Sequence, residues 1–422
     1  MLVLLLILAA GIYFTWVTGG FQLFHFPLWM RKTLGTCFRK NEADQEGAMS
    51  PWQALCTSLA ATIGTGNIVG VATALVAGGP GTIFWMWVSA FFGMMTAYAE
   101  KVLGHLYRKK KPDGGYLGGT MMTMERGLSS RPMGLIYAFL CLLVSFGMGN
   151  MTQANSIAQA LQGTWNISPM ATAPFLAFFI WFCCKGGGKR IGAITGVLVP
   201  VMSVFYMGGA VWILWHFRDQ LGAAVQLILS DAFSLRAMTV GIARGVFSNE
   251  AGLGSSVIAH AQSTVKEPVE QGMWGILEVF LDTIVMCTVT GFVLLVSGVW
   301  NTGVDGADMT LAAFSSVFGV FGRSILTISI FFFALSTLVG WSFFGLECVS
   351  YLCGEKGKGI YLAIFFGMTV VGCLGELTDI WRIADICNML LAIPNLFCLF
   401  CLRKQVIALT DTYLGVKLRK KS

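Results

Sequence analysis

The chain has 422 residues, of which 56% are hydrophobic and only 12% are charged, whereas soluble globular proteins carry about 25% charged residues. The mean hydropathy is +0.72, and the apolar residues form long runs separated by short polar stretches, which is typical of membrane-spanning helices. The composition therefore excludes a soluble globular protein. The net charge of +7 comes from basic residues between the apolar runs, so it does not indicate nucleic-acid binding.

Eleven apolar segments are predicted to cross the membrane, which makes the chain an all-α polytopic membrane protein. The first covers residues 1–16 and has no basic residue before it, so we expect a retained membrane segment and not a signal peptide. The ten later spans are predicted near residues 51–76, 83–106, 133–162, 171–184, 190–216, 236–261, 271–299, 322–352, 359–374 and 380–402.

The basic residues predict the orientation, because short cytoplasmic loops collect Lys and Arg. If the first span ends inside, 23 of the 28 basic residues lie on the cytoplasmic side. We therefore expect the N-terminus outside the cell and the C-terminus in the cytoplasm.

The ten spans after the first divide into two sets of five. An odd number of spans per set places the second set in the membrane with the opposite direction, which permits an inverted repeat. The predicted regions are an N-terminal helix and its connection (1–49), two five-helix repeats (50–234 and 235–404) and a basic cytoplasmic tail (405–422).

The first span of each set contains a cluster of glycine and polar residues near its middle. The first cluster runs from Thr62 to Gly70 and the second from Gly245 to Gly254. Glycine disfavours a helix by about 1 kcal/mol relative to alanine, so both spans are predicted to unwind there. Free backbone groups in lipid are tolerated where a ligand, ion or water binds them. The alternative is two continuous helices that use these glycines for close packing.

A broken helix offers groups of both polarities. Free N–H groups near Thr65, Gly66 and Asn67 suit a carboxylate, whereas carbonyl groups at residues 60–63 suit a small cation or an ammonium group.

Polar residues in other spans extend the candidate site. Gln153 is placed to reach a polar ligand, Ser336 and Thr337 offer hydroxyl oxygens to sodium, and Trp341 offers an apolar lid. Adjacent hydroxyls in a membrane helix also bond to their own backbone, and this alternative stays open.

Charged side chains at membrane depth are costly and are therefore candidates for function. Glu250 lies in the second cluster, and Glu278 and Asp282 lie four residues apart in the next span. Asp282 is predicted either to brace a neighbouring helix or, in the proton-coupled alternative, to carry protons; Glu250 is the other candidate proton carrier. Glu100 beside Lys101 is predicted to form a pair at the membrane interface.

Other classes of site are not indicated. The single CxxC spacing, Cys398 and Cys401, has no second pair or histidine partner for a metal site. The run Gly186–Arg190 ends in the wrong residue for an ATP-binding P-loop. We therefore expect no enzymatic activity and no catalytic residues, and uphill transport would need an ion gradient.

These motifs resemble those of the alanine or glycine:cation symporters, a family of bacterial sodium-coupled amino-acid carriers. The likeness covers nearly the whole chain. It is most specific at residues 64–68, 78–81, 84–88, 149–156 and 243–261.

The resemblance implies a leucine-transporter-like fold whose first helix in each repeat is discontinuous. It implies that Thr65 and Gly66 bind the carboxylate of an amino acid and that the Thr62 and Phe247 carbonyls bind its ammonium group. The substrate-binding residues are then predicted to be Thr62, Gly64, Thr65, Gly66, Asn67, Gln153, Phe247, Ser248, Ala251 and Trp341. The sodium ligands are predicted to be Ala60, Ile63, Ser336 and Thr337.

The expected function is sodium-coupled symport of alanine or glycine by alternating access. We expect the protein to act as a monomer in the bacterial inner membrane, with the amino acid, sodium and lipid as its partners. Proton-coupled symport, and a channel or sensor with the same fold, are the alternatives.

Overall fold

The computed structural model describes residues 2–36, 48–111, 114–304, 306–375 and 377–415, without the side chains of residues 377–385. The basic residues expected at positions 39–40 and 417–421 lie outside this part of the chain, as does the side chain of Arg382.

The described chain is almost entirely helical. Its N-terminal helices are α1 (Leu2–Val17), α2 (Phe21–Phe24) and α3 (Phe26–Lys32). The next helices are α4 (Pro51–Thr62), α5 (Val69–Gly78), α6 (Thr82–Leu106), α7 (Thr120–Gly127), α8 (Arg131–Phe146), α9 (Thr152–Trp165), α10 (Pro169–Cys184), α11 (Gly187–His216) and α12 (Leu221–Asp231). The remaining helices are α13 (Leu235–Asn249), α14 (Val257–His260), α15 (Pro268–Val279), α16 (Thr288–Val296), α17 (Gly306–Phe318), α18 (Val320–Cys353), α19 (Lys358–Leu374) and α20 (Leu377–Leu414).

Shorter elements connect these helices. The strands β1 (Lys109–Lys110) and β2 (Tyr116–Leu117) form an antiparallel hairpin. The π-helical segments Gly147–Met151 and Phe280–Cys287 join α8 to α9 and α15 to α16. Single 3₁₀ turns lie at Leu34–Thr36, Thr65–Asn67, Arg218–Gln220, Val299–Asn301 and Glu355–Gly357.

Seven described helical stretches are long and apolar enough to cross a membrane. They are Thr82–Leu106, Arg131–Trp165, Gly187–His216, Pro268–Val296, Val320–Cys353, Glu355–Leu374 and Ile386–Leu414. The pair α12 and α13, bent by 108°, adds an eighth if it forms one span. These stretches confirm the predicted all-α membrane fold, whereas the count of eleven spans and the inverted repeat stay predictions.

Both predicted breaks are present. The first separates α4 from α5, and the second separates α13 from α14. The second break lies in the later part of its glycine cluster, because α13 continues through Gly245 to Asn249. A Cβ on Gly245 would come 2.0 Å from the Ser89 Oγ. Gly245 therefore serves close packing. The helix ends where Glu250 and Gly252 adopt positive φ angles of 53° and 97°.

Two long helices organise the packing. Helix α6 lies against α13, α15 and α1, and α18 lies against α9, α11, α8 and α4. At the crossing of α4 and α18, a Cβ on Gly340 would come 2.8 Å from the backbone nitrogen of Ala61. The main chains of the two helices therefore touch beside the first break.

We expect Gly340→Ala to destabilise the protein, because the added methyl group must push α18 away from the α4 backbone. Overpacking of this kind costs about 1–3 kcal/mol. Gly208→Ala in α11 is the matched control, because nothing lies within 4 Å of its Cβ position. Thermal unfolding of the purified variants measures the difference. Equal melting temperatures for the two variants would contradict the predicted backbone contact.

Candidate functional site

The first break lies between α9 and α18, which contribute side chains on either side of it. A Cβ on Gly64 would come 2.6 Å from the Thr337 Oγ1 and 3.4 Å from the Gln153 Oε1. The Thr65 hydroxyl donates a hydrogen bond to the Gln153 Oε1 at 3.2 Å. The structure therefore brings predicted site residues from three parts of the chain around one stretch of exposed backbone.

The break leaves backbone donors available. In its 3₁₀ turn the Asn67 and Ile68 amides donate to the Gly64 and Thr65 carbonyls. Among the described residues, the Thr65 and Gly66 amides donate no hydrogen bond. A buried N–H group without an acceptor costs free energy, so these neighbouring amides are available to an acceptor oxygen.

The end of α4 also releases a carbonyl toward α18. In a continuous helix the Gly64 amide would donate to the Ala60 carbonyl, but here it donates to the Thr62 carbonyl at 2.9 Å. The Ser336 Oγ lies 3.5 Å from the Ala60 oxygen. Two predicted sodium ligands therefore face each other across the α4–α18 contact.

The other predicted sodium ligands lie close by. The Thr337 hydroxyl donates to the Phe333 carbonyl at 3.0 Å, as the Ser336 hydroxyl does at 2.8 Å. Both hydroxyls therefore bond to their own helix, which was the alternative left open, while their oxygen lone pairs stay available to a cation. Ile63 is the C-cap of α4. Thr62 is buried, and its hydroxyl donates to the Ser58 carbonyl at 3.3 Å.

Phe247 approaches the break from the second half of the chain. Its ring lies 3.7 Å from the Cβ position of Gly66, and the Arg244 guanidinium lies 5.7 Å from the ring centroid. Ala251, predicted to line the same site, instead packs toward α6, where it lies 3.2 Å from the Cβ position of Gly93.

Trp341 lies one helical turn beyond Thr337 on α18. A Cβ on Gly149 would come 2.3 Å from the Trp341 Cγ, so the indole packs against the π-helical segment before α9. Its Nε1 is buried and has no hydrogen-bond partner among the described residues.

The side chains of Asn67 and Ser248 face a carboxylate of the protein itself. The Asn67 Nδ2 donates to the Asp282 Oδ1 at 2.8 Å, and the Ser248 hydroxyl donates to the Asp282 Oδ2 at 2.8 Å. Thr283 adds a third donor at 2.7 Å. Asp282 therefore braces the first break against α13, which is one of its two predicted roles, and the second break is anchored to the same π-helical segment through Asn249 and Thr283.

A cavity of about 670 Å³ approaches the site from the α5 side. Its lining includes Gly70 beyond the first break, Ser156 one turn from Gln153, and Arg244. Sequence reasoning did not select Arg244 for the site, although the cost of a charge at membrane depth is a signal that singles it out.

Glu100 and Lys101 form the predicted pair, with the Lys101 Nζ 3.6 Å from the Glu100 Oε2, whereas its place at the membrane interface stays a prediction. Both residues are buried inside the helix bundle, with only 2% and 1% of their surface exposed. The Lys101 Nζ also lies 3.0 Å from the Glu278 Oε2 on α15, so the pair lies between α6 and α15.

The whole sequence, residues 1–422, matches the sodium:alanine symporter family. A sodium/alanine symporter, AgcS of Methanococcus maripaludis, is 42% identical over 428 aligned residues, which cover 97% of this chain and 93% of that one. A probable sodium/glutamine symporter, GlnT of Bacillus subtilis, is 35% identical over 427 aligned residues, covering 98% of this chain and 87% of that one.

The fold is similar to that of MhsT, whose crystal structure was solved in complex with L-phenylalanine. The two structures align with a TM-score of 0.66 at 12% sequence identity, over 87% of this chain and 93% of the other. This likeness shows a shared transporter fold.

Proposed function

We propose the following function for this chain, which belongs to the sodium:alanine symporter family: it imports alanine and glycine together with sodium by alternating access. Members of the family are transporters and not enzymes. The observation that carries the proposal is the first break, where unused backbone amides lie beside a carbonyl-rich helix end.

The two amides at Thr65 and Gly66 are assigned to the substrate carboxylate. They lie at the start of the outer half of a broken helix, where the helix dipole also favours negative charge. Gln153 is assigned to the wall of the site, since its Oε1 accepts from the Thr65 hydroxyl.

Sodium is assigned to the space between α4 and α18, with Ala60 and Ile63 carbonyls on one side and Ser336 and Thr337 hydroxyls on the other. These neutral oxygens suit a small hard cation. Sodium bound there would stabilise the unwound end of α4 and with it the amides that hold the carboxylate. Because such coupling is reciprocal, each ligand would raise the affinity for the other by the same factor.

Selectivity for small substrate side chains is assigned to the large aromatic residues around the first break. The aromatic ring of Phe247 lies over Gly66, and Trp341 fills the space beside the π-helical segment. We assign the 670 Å³ cavity to the extracellular approach, since the orientation inferred from the basic residues places α5 in the outer half of the membrane.

We further propose that the chain works as a monomer in the bacterial inner membrane, with its N-terminus outside. The division into an N-terminal helix, two inverted five-helix repeats and a cytoplasmic tail belongs to the same proposal. An odd number of spans in each repeat is what gives the two halves opposite directions.

Uptake of radiolabelled alanine into proteoliposomes tests the function directly. We expect accumulation above the external concentration under an inward sodium gradient, and none under a potassium gradient. Equilibration without accumulation would indicate a channel, and accumulation driven by a pH gradient in the absence of sodium would indicate proton coupling; both results contradict the proposal.

We expect Thr65→Pro to abolish alanine uptake, because proline removes the N–H group assigned to the carboxylate. The backbone of Gly64 is extended (φ −124°, ψ −150°) and so lies outside the α region that a following proline disfavours. Thr65→Val is the matched control, since it keeps the N–H group and loses only the hydroxyl. Uptake by Thr65→Pro at the level of Thr65→Val would contradict the assignment.

We expect Ser336→Ala to raise the sodium concentration for half-maximal uptake about tenfold, which corresponds to about 1.4 kcal/mol of lost binding free energy. The control is Ser329→Ala in the same helix, whose hydroxyl bonds within the described part of the chain only to the Ile325 carbonyl. Sodium titrations at saturating alanine measure the effect. An unchanged sodium dependence for Ser336→Ala would remove Ser336 from the ion site.

A further inference from the structure

A second group of charged residues is buried away from the substrate site. It consists of Glu100 and Lys101 on α6, His260 on α14 and Glu278 on α15, and we call it the ionic cluster. Between 0% and 2% of the surface of each residue is exposed. The proposed symport mechanism uses none of these side chains, so their burial calls for another explanation.

Glu278 is the centre of the cluster. Its Oε2 lies 3.0 Å from the Lys101 Nζ and 3.2 Å from the His260 Nε2. Its Oε1 accepts a short hydrogen bond from the Ser58 hydroxyl on α4. The cluster therefore ties α4 and α14, which adjoin the two breaks, to α6 and α15.

Glu100 contributes the second carboxylate. Its Oε1 accepts hydrogen bonds from the Gly252 amide at 2.9 Å and from the Asn395 Nδ2 at 2.7 Å. Its Oε2 lies 3.6 Å from the Lys101 Nζ and has no hydrogen-bond partner among the described residues. One ammonium group therefore faces two carboxylates.

The formal charge of the cluster is unbalanced. With a neutral His260, two carboxylates and one ammonium group sum to −1, and a net charge without water costs several kcal/mol. Neighbouring elements bring further polar groups to the cluster: Ser58 of α4 and Asn395 of α20 bond to its carboxylates, and Gln271 of α15 bonds to His260. Glu250 of the second break and Asp282 beyond α15 interact electrostatically with Glu278, and Tyr137 of α8 does so with Glu100. None of these side chains is a cation, so none of them supplies the missing positive charge.

Gln271 offers a way to accept one more proton. Its Nε2 lies 2.6 Å from the His260 Nδ1, while its Oε1 is buried without a hydrogen-bond partner among the described residues. The amide donates in this orientation, so the Nδ1 accepts and the proton of a neutral imidazole is on the Nε2. Rotation of the amide would turn the unused Oε1 toward the Nδ1, which suits a doubly protonated imidazole.

We propose that the ionic cluster is a proton-binding site. His260, Glu100 and Glu278 together hold one proton beyond those already present on a neutral imidazole and on the Lys101 ammonium group. With that proton the cluster is neutral, and Glu278 keeps its contacts to Lys101, His260 and Ser58. Without it the excess negative charge weakens the attachment of α4 and α14 to the rest of the bundle.

Proton binding at this site makes the mobility of the inner half-helices, α4 and α14, depend on pH. Ser58 lies one turn before Thr62, at the end of α4 assigned to the ligands. This second part of the inference rests on the proposed symport: protons would bind apart from sodium and alanine and would alter their apparent affinity. The proton site itself does not depend on transport.

The test measures melting temperature against pH for the full-length protein in detergent without substrate. Between about pH 6 and pH 8 the native cluster keeps a proton that the unfolded chain releases. The free energy of unfolding therefore falls as the pH rises. We expect wild-type protein to lose about 2 °C per pH unit between about pH 6 and pH 8. Glu100→Gln balances the cluster without the extra proton, so its melting temperature should change much less over that range.

Asp308→Asn is the matched control, since it removes one carboxylate from the large cavity instead of the cluster. It should keep the wild-type slope. Glu278→Gln removes the same charge as Glu100→Gln. It replaces Glu100→Gln in the test if Glu100→Gln does not fold. Parallel profiles for the wild type and both cluster variants would overturn the proton site.

A second measurement addresses the link to transport. The alanine concentration for half-maximal uptake should change with internal pH in the wild type and stay constant in Glu100→Gln. A flat wild-type profile in uptake, together with a sloped profile in melting temperature, would overturn the link and leave the proton site supported. Absence of sodium-driven uptake would contradict the proposed function alone.

Discussion

The structure depends on one constraint, which is that a backbone amide or carbonyl inside a membrane must have a partner. The α4–α5 helix nevertheless breaks at residues 63–68, and the Thr65 and Gly66 amides are left without acceptors among the described residues. The surroundings compensate for the break. Asp282 braces Asn67 from one side, while Gln153 and α18 cover the backbone from others. In the proposed function, the substrate carboxylate supplies the missing acceptor.

Two polar systems with different tasks lie next to each other in the bundle. The Asp282 network holds the unwound segments in place through neutral donors, and the ionic cluster holds the adjoining half-helices through charges. The first sets the geometry of the first break. The second determines how firmly α4 and α14 are attached, so the geometry of that break and helix mobility are controlled by separate residues.

Sequence patterns predicted the helical class, the extents of most long helices and both breaks, because apolar length and glycine clusters are local signals. The residues Thr65, Gly64 and Gln153, which they assigned to one candidate site, lie close together in the structure, and their membership of a binding site stays a prediction. Sequence patterns could not show that Ala251 turns toward α6 or that Glu100 and Lys101 are buried, because side-chain direction and burial depend on which helices meet. The position of the second break was displaced for a similar reason, since Gly245 is needed for contact with α6.

The crossing of α4 and α18 has a consequence for how this protein can vary. Main chain meets main chain at Gly340 and Ala61, so no side chain acts as a spacer there. The spacing between the Ala60 carbonyl and the Ser336 hydroxyl beside this crossing therefore depends on the distance between the two helix axes. A side chain larger than glycine at position 340 would move these axes apart and lengthen that spacing, so variation at this crossing changes the geometry of the first break as well as the packing.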